Sequence, residues 1–186
     1  MRQAALLLSL TFIIALSTFA QVGSPQGYAG QQKRETKALS AEEIQSLLDG
    51  EGMGLAKAAE LNHYPGPKHV LDLAAKLDLS EKQAARAREI FGRMHTEAVR
   101  LGRLIVGKER ELDELFAKSE INSGKLQSVS REIALLQGSL RAAHLQAHIE
   151  TKSILTPAQI KKYDELRGYD APGVRGTHQH HGHGEH

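Results

Sequence analysis

Ser119-Glu120-Ile121-Asn122-Ser123-Gly124 interrupts two long stretches of the same kind. Upstream, Ala84, Ala87, Phe91, Met94, Ala98, Leu101, Ile105, Leu112 and Leu115 alternate at spacings of three and four, with Lys108 the one interruption. Downstream, Leu126, Val129, Ile133, Leu136, Leu140, Ala143, Ala147 and Ile154 do the same, with Glu150 the exception. An apolar step averaging about 3.5 residues keeps one seam facing a partner helix. The break is short, so the two helices are predicted to be antiparallel neighbours. A helix from Ser80 to Lys118 is about 58 Å long at 1.5 Å per residue. The fold class expected is therefore all-α: a long antiparallel helical hairpin with short flanking helices.

Both helices next to the hairpin's open end begin with a capping box. Leu79-Ser80-Glu81-Lys82-Gln83 starts the first long helix, Ser80 accepting from free N–H groups and Gln83 reaching back. Leu155-Thr156-Pro157-Ala158-Gln159 repeats the pattern, with Pro157 at the first helical position. The helix it opens is predicted to end at Gly168. Ser40-Ala41-Glu42-Glu43 opens a shorter helix that stops at Gly50, and Met53 to Leu61 holds a turn or two more. Asn62-His63-Tyr64-Pro65-Gly66-Pro67 is a turn, followed by a predicted helix from Lys68 to Leu77.

The N-terminus reads as a targeting segment. Arg2 is the positive n-region, Ala4 to Leu16 the apolar h-region, and Thr18-Phe19-Ala20 a small-residue exit, so cleavage is expected before Gln21. The competing reading is a retained anchor, since the apolar run of about 17 residues is at the lower edge for spanning a bilayer. The organisation expected is a signal peptide at 1–20, a disordered leader at 21–39, a helical domain at 40–169 and a flexible histidine-rich tail at 170–186. A formal charge of +2 gives no reason to invoke nucleic acid. Zero cysteines exclude disulfides and thiolate metal sites. Four Phe, four Tyr and no Trp are a thin aromatic supply for a globular core.

A signal peptide, no cysteine, a helical hairpin and paired L-[ST]-x-x-Q helix starts together resemble the Spy/CpxP family of periplasmic stress proteins, and more distantly ZraP and CnrX. The resemblance covers roughly Pro65 to Tyr169. Leu155, Thr156, Pro157 and Gln159 fit the family's LTxxQ motif, and Leu79, Ser80 and Gln83 depart from it only in Ser for Thr. It implies an all-α, cradle-shaped homodimer in the periplasm, without ATP and without a catalytic centre. Gly102 to Lys108 has Walker-A spacing, but Glu109 stands where a hydroxyl must reach magnesium and no strand precedes it, so no nucleotide is expected. Neither HExxH, GxSxG nor GxGxxG is present.

Histidine carries the chemistry. There are ten, and His178, His180, His181, His183 and His186 crowd the last nine residues beside Glu185. Imidazole suits zinc, copper and nickel, and such a tract can wrap an ion, although composition alone also fits a solubilising tail. His144 and His148 share one helical face. Folding the hairpin about residue 120 or 121 pairs positions summing to about 241, which sets His95 level with both. The three could share an ion with a water; they also read simply as polar residues flanking the seam. His63 and His69, beside the Pro-Gly turn, read as structural.

Three function classes follow. The first is an ATP-independent chaperone for unfolded envelope proteins, in which Arg86, Arg93, Arg100 and Arg103 attract acidic client segments beside apolar side chains. The same arginines read equally as a solvated face with i,i+4 partners. The second is a metal sensor or scavenger working through the histidines, and the third an adapter on a membrane sensor kinase. One hairpin buries little surface alone, so a homodimer is expected.

Overall fold

The computed structural model describes residues 27–169. The signal peptide, the first part of the leader and the histidine-rich tail lie outside the described residues. The chain divides into two compact units, Met1–Gln32 and Lys33–His186. The described part of the second contains six α-helices: α1 (Ala41–Leu48), α2 (Lys57–Glu60), α3 (Pro67–Asp72), α4 (Glu81–Ala117), α5 (Ser123–Ile154) and α6 (Pro157–Arg167). None of them is long and apolar enough to cross a membrane.

The long helices α4 and α5 form the hairpin. The chain turns through Ser119, whose φ is +56°, and Asn122 caps α5 by accepting from Lys125 N–H at 3.0 Å. Along the seam Ala87, Ala98, Leu101 and Ile105 meet Val129, Ile133, Leu140 and Ala147, all buried. The two polar interruptions of the apolar pattern make ion pairs across the hairpin: Lys108 Nζ to Glu132 at 2.7 Å, and Glu150 to Arg93 at 2.6 Å. Leu126, in the first turn of α5, falls outside the buried seam and is exposed.

Three helix starts carry complete capping boxes, at Ser40, Ser80 and Thr156. The last two are joined. Gln83 Nε2 donates to Gln159 Oε1 at 2.8 Å and to Ile154 O at 2.9 Å, while Gln159 Nε2 donates to Leu77 O at 3.2 Å. The two capping glutamines thus clamp the ends of α5 and of the α3–α4 connection. Beneath them lies a cluster of Val70, Leu77, Ala87, Leu155 and Tyr163.

A second cluster holds Leu47 against Ala98, Leu101, Ile105, Val106 and Leu140. Here α1 crosses α4 over Gly102, where an added Cβ would fall 1.9 Å from Leu47 O. Two expectations need correction. The helix after Pro67 ends at Asp72, and Leu73 to Asp78 continues as turns, closing with Asp78 at φ +51°. Within the stretch expected to be a disordered leader, Thr36 is fully buried, Glu35 pairs with Arg110 at 2.6 Å and Lys37 with Asp113 at 2.8 Å. Those contacts place this segment against α4.

Candidate metal centre

The base of the hairpin is closed by the turn Pro65-Gly66-Pro67, which is buried against α5. Gly66 is needed there because a Cβ would meet His148 Nε2 at 3.0 Å and Glu60 Oε2 at 3.4 Å. His63, at φ +63°, turns its Nδ1 to Asp164 of α6 at 2.7 Å. His148 Nδ1 donates to Tyr64 O at 2.7 Å. That bond commits one ring nitrogen as a donor and leaves the lone pair on Nε2, the arrangement that fixes an imidazole as a metal ligand.

Glu60, the last residue of α2, is the hub. Its Oε1 accepts from the Tyr163 hydroxyl, from Tyr169 at 3.0 Å and from His69 Nδ1 at 3.3 Å, and Arg167 Nε lies 3.5 Å away. Its Oε2 is 3.5 Å from His148 Nδ1 and is buried without a hydrogen-bond partner among the described residues. Burial by itself raises the Glu60 pKa. The bonds from His69, Tyr163 and Tyr169 overrule it and bring the value down to about 2, so the carboxylate is charged. Burial and Glu60 together raise Tyr163, which stays a protonated donor.

His144 lies one turn before His148 and is also buried, at 5 % exposure. It was expected on the flank of the seam; the Pro65–Pro67 turn and neighbouring segments cover that flank. Burial, then the neighbouring His148, lower its pKa, so it is neutral at pH 7, and its Nε2 has no hydrogen-bond partner among the described residues. His144 and His95 line one cavity of about 390 Å³ together with His69 and Met94, and the His95 ring lies against Phe91 with centroids 5.6 Å apart. His148 lines a neighbouring cavity of about 430 Å³ with Glu60, His69, Met53 and Tyr169. The trio of His95, His144 and His148 is therefore split between two cavities, because the bond to Tyr64 holds the His148 ring on the α2 side. Among the described residues, no group of three or more His, Asp or Glu side chains is arranged to hold a metal ion.

Three of the four arginines singled out as a client stripe are paired within the hairpin. Arg86 meets Glu89 at 2.5 Å, Arg93 meets Glu89 at 2.6 Å as well as Glu150, and Arg100 meets Glu97 at 2.7 Å. Arg103 is exposed and makes no ion pair among the described residues. Sequence reasoning did not single out Glu60, Tyr163 or Tyr169, and read His69 as structural. The hint available was the buried Pro-Gly-Pro turn flanked by two histidines; the partnership with α6, 103 residues further on, has no periodic signature.

A family model described as heavy-metal resistance matches residues 4–162. No curated protein and no solved structure matches the chain.

Proposed function

Because the chain belongs to the heavy-metal resistance family, we propose that it is a periplasmic protein that binds a transition-metal ion, zinc, copper or nickel, at the base of its hairpin. The observation that supports this reading is Glu60 Oε2, a buried carboxylate oxygen without a hydrogen-bond partner among the described residues, in the cavity that His148 lines; His144, whose Nε2 is likewise unpartnered, lines the neighbouring cavity. A buried polar atom left unmatched costs about 1–3 kcal/mol, so a bound ion or an ordered water at Glu60 Oε2 would recover that cost. The donors suit such an ion in kind: a charged carboxylate, a neutral imidazole, and a second imidazole whose tautomer is fixed by Tyr64. Gly66 keeps the space beside His148 Nε2 and Glu60 Oε2 open. In this reading His148 and Glu60 hold the ion, with His69 beside them and His144 in the adjoining cavity, and no catalytic step is assigned.

Calorimetric titration of the full chain with zinc, copper and nickel tests it. Replacing both His144 and His148 by Ala is expected to weaken binding at least about tenfold. An unchanged isotherm in that variant would falsify the core site.

A second reading, the chaperone of the Spy/CpxP type, is favoured by one feature. Leu135 and Ile149 are 65 % and 52 % exposed, about four turns apart on α5, and so near one face. Suppression of aggregation of an unfolded client in the presence of a chelator supports it, and no suppression at equimolar ratio counts against it. The same apolar side chains suit a homodimer.

A further inference from the structure

We propose that the groove between α1 and α5 holds the free anion of a single-chain fatty acid, with its acyl chain over Leu47, Ile105 and Leu140 and its carboxylate at Arg141. It uses none of the residues proposed to hold the ion, and so is independent of the metal-binding reading.

The groove is a cavity of about 500 Å³. Cavities of about 300–1,000 Å³ are the ones that hold small-molecule ligands. Leu47, Ile105 and Leu140 line it and are buried members of one apolar cluster. Leu39 and Leu55, packed against that cluster, line it as well. Met53, set between two glycines, adds an unbranched side chain that is 47 % exposed. Such a side chain repacks readily around ligands of varied shape. On α5, Ala134, Gln137, Gly138 and Arg141 of the lining are three and four residues apart and so form one stripe. Gly138 leaves that stripe open, since nothing lies within 4 Å of where its Cβ would stand.

Charge selects the occupant. Arg141 is exposed and makes no ion pair among the described residues, whereas Arg86, Arg93 and Arg100 of α4 are all paired. A guanidinium donates to both oxygens of a carboxylate at once. The other charged group on the lining, Glu43, lies on α1, and its Oε2 accepts from Ser40 N–H at 2.8 Å. Its negative charge turns an anionic head away from α1 and toward Arg141. One unpaired cation beside one apolar groove matches one chain bearing one negative charge. A phosphate monoester brings closer to two charges, and an alkylammonium brings the wrong sign for Arg141.

The test is calorimetric titration of the full chain with decanoate, octanoate and decanol, each below the concentration at which it aggregates. The parent is compared with Arg141→Gln, Gly138→Phe and Arg103→Gln, the last an exposed arginine outside the lining. The parent is expected to bind one decanoate per chain, and to gain about two- to fourfold in affinity per methylene from octanoate to decanoate. Arg141→Gln should weaken decanoate about three- to fivefold and leave decanol unchanged. Gly138→Phe fills open space, so it should keep the helical spectrum and bind neither. Arg103→Gln should behave as the parent. Arg141→Gln removes no described contact, so it carries the test even if Gly138→Phe misfolds. If Arg141→Gln binds decanoate as the parent does, or a folded Gly138→Phe still binds it, the site is overturned. Several decanoates per chain, with no response to either variant, would show detergent-like association and overturn it too. A second copy seated in the groove predicts a different result: no decanoate bound, and Gly138→Phe shifting sedimentation from dimer to monomer. That outcome would assign the groove to a self-interface and end the fatty-acid proposal.

Discussion

At the scale of single residues, competing magnitudes can be set against each other at the glycines. Ala is about 1 kcal/mol better than Gly inside a helix. At Gly102 that gain meets a Cβ placed 1.9 Å from Leu47 O, a backbone atom that cannot rotate away. Overpacking of this kind costs about 1–3 kcal/mol or more. Gly102→Ala is therefore expected to lower the urea midpoint, whereas Gly107→Ala and Gly138→Ala, with open space at both positions, should raise it through a gain of up to about 1 kcal/mol in unfolding free energy. The titratable groups give a pH dependence whose sign is fixed. His144 has a lowered folded pKa, so its contribution is present above its unfolded value near 6.5 and falls as pH drops below that. Glu60 falls from 4.5 to about 2, so its share, about 3 kcal/mol, persists above pH 4.5 and is lost as pH falls toward 2. Stability of the metal-free protein should thus decline in two stages on acidification. Glu60→Gln should shrink the lower one, with the surface carboxylates Glu89, Glu97 and Glu132, also lowered by their Arg and Lys partners, contributing the remainder; an unchanged acid limb in that variant would contradict this assignment.

At the scale of elements, the two L-[ST]-x-x-Q starts do more than begin helices. Each glutamine closes its own capping box and also reaches the other, so α4 and α6 begin from one shared knot of side chains. Gln159→Ala leaves Leu77 O and the Gln83 amide short of partners, an expected loss of about 1–2 kcal/mol. Gln83→Ala should cost a similar amount, and the double variant less than the sum, since the two share a bond; strict additivity in thermal melts would show that the pair is independent. Hairpin, bend and the caps at Ser80 and Thr156 were legible in the sequence because they depend on local spacing, next to apolar residues that recur every three or four positions; the cap at Asn122, inside the expected break, was not read. The end of α3 at Asp72 was not, because Leu71, Leu73 and Leu77 fit a helix and successive turns equally well. The site was half legible. His144 and His148 stand out by spacing, but their burial depends on Pro65–Pro67, and Glu60 has no feature in the sequence that distinguishes it from twenty-one other carboxylates.

At the scale of the whole molecule, the outer face of α5 separates the two uses proposed for it. If Leu135 and Ile149 are covered by a second copy, Ile149→Lys should shift sedimentation toward the monomer at tens of micromolar. If they receive unfolded clients, the same variant should sediment unchanged and suppress aggregation less well. A parent that sediments as a monomer at that concentration would remove the dimer.

The contacts across the hairpin lengthen steadily with distance from the bend: Arg93 to Glu150 spans 57 residues, Gln83 to Gln159 76, and Glu60 to Tyr163 103. Loop closure slows with chain length, so such a ladder zips from Asn122 outward, and the knot around Glu60 closes last. Contacts made after the rate-limiting step change the unfolding rate and leave the folding rate alone. Tyr163→Phe should therefore speed unfolding in stopped-flow measurements with little change in folding, while Val129→Ala, near the bend, should slow folding. The base of the hairpin, where the ion is proposed to sit, is then the part that opens first, so a bound ion would act as a latch on the lifetime of the native state.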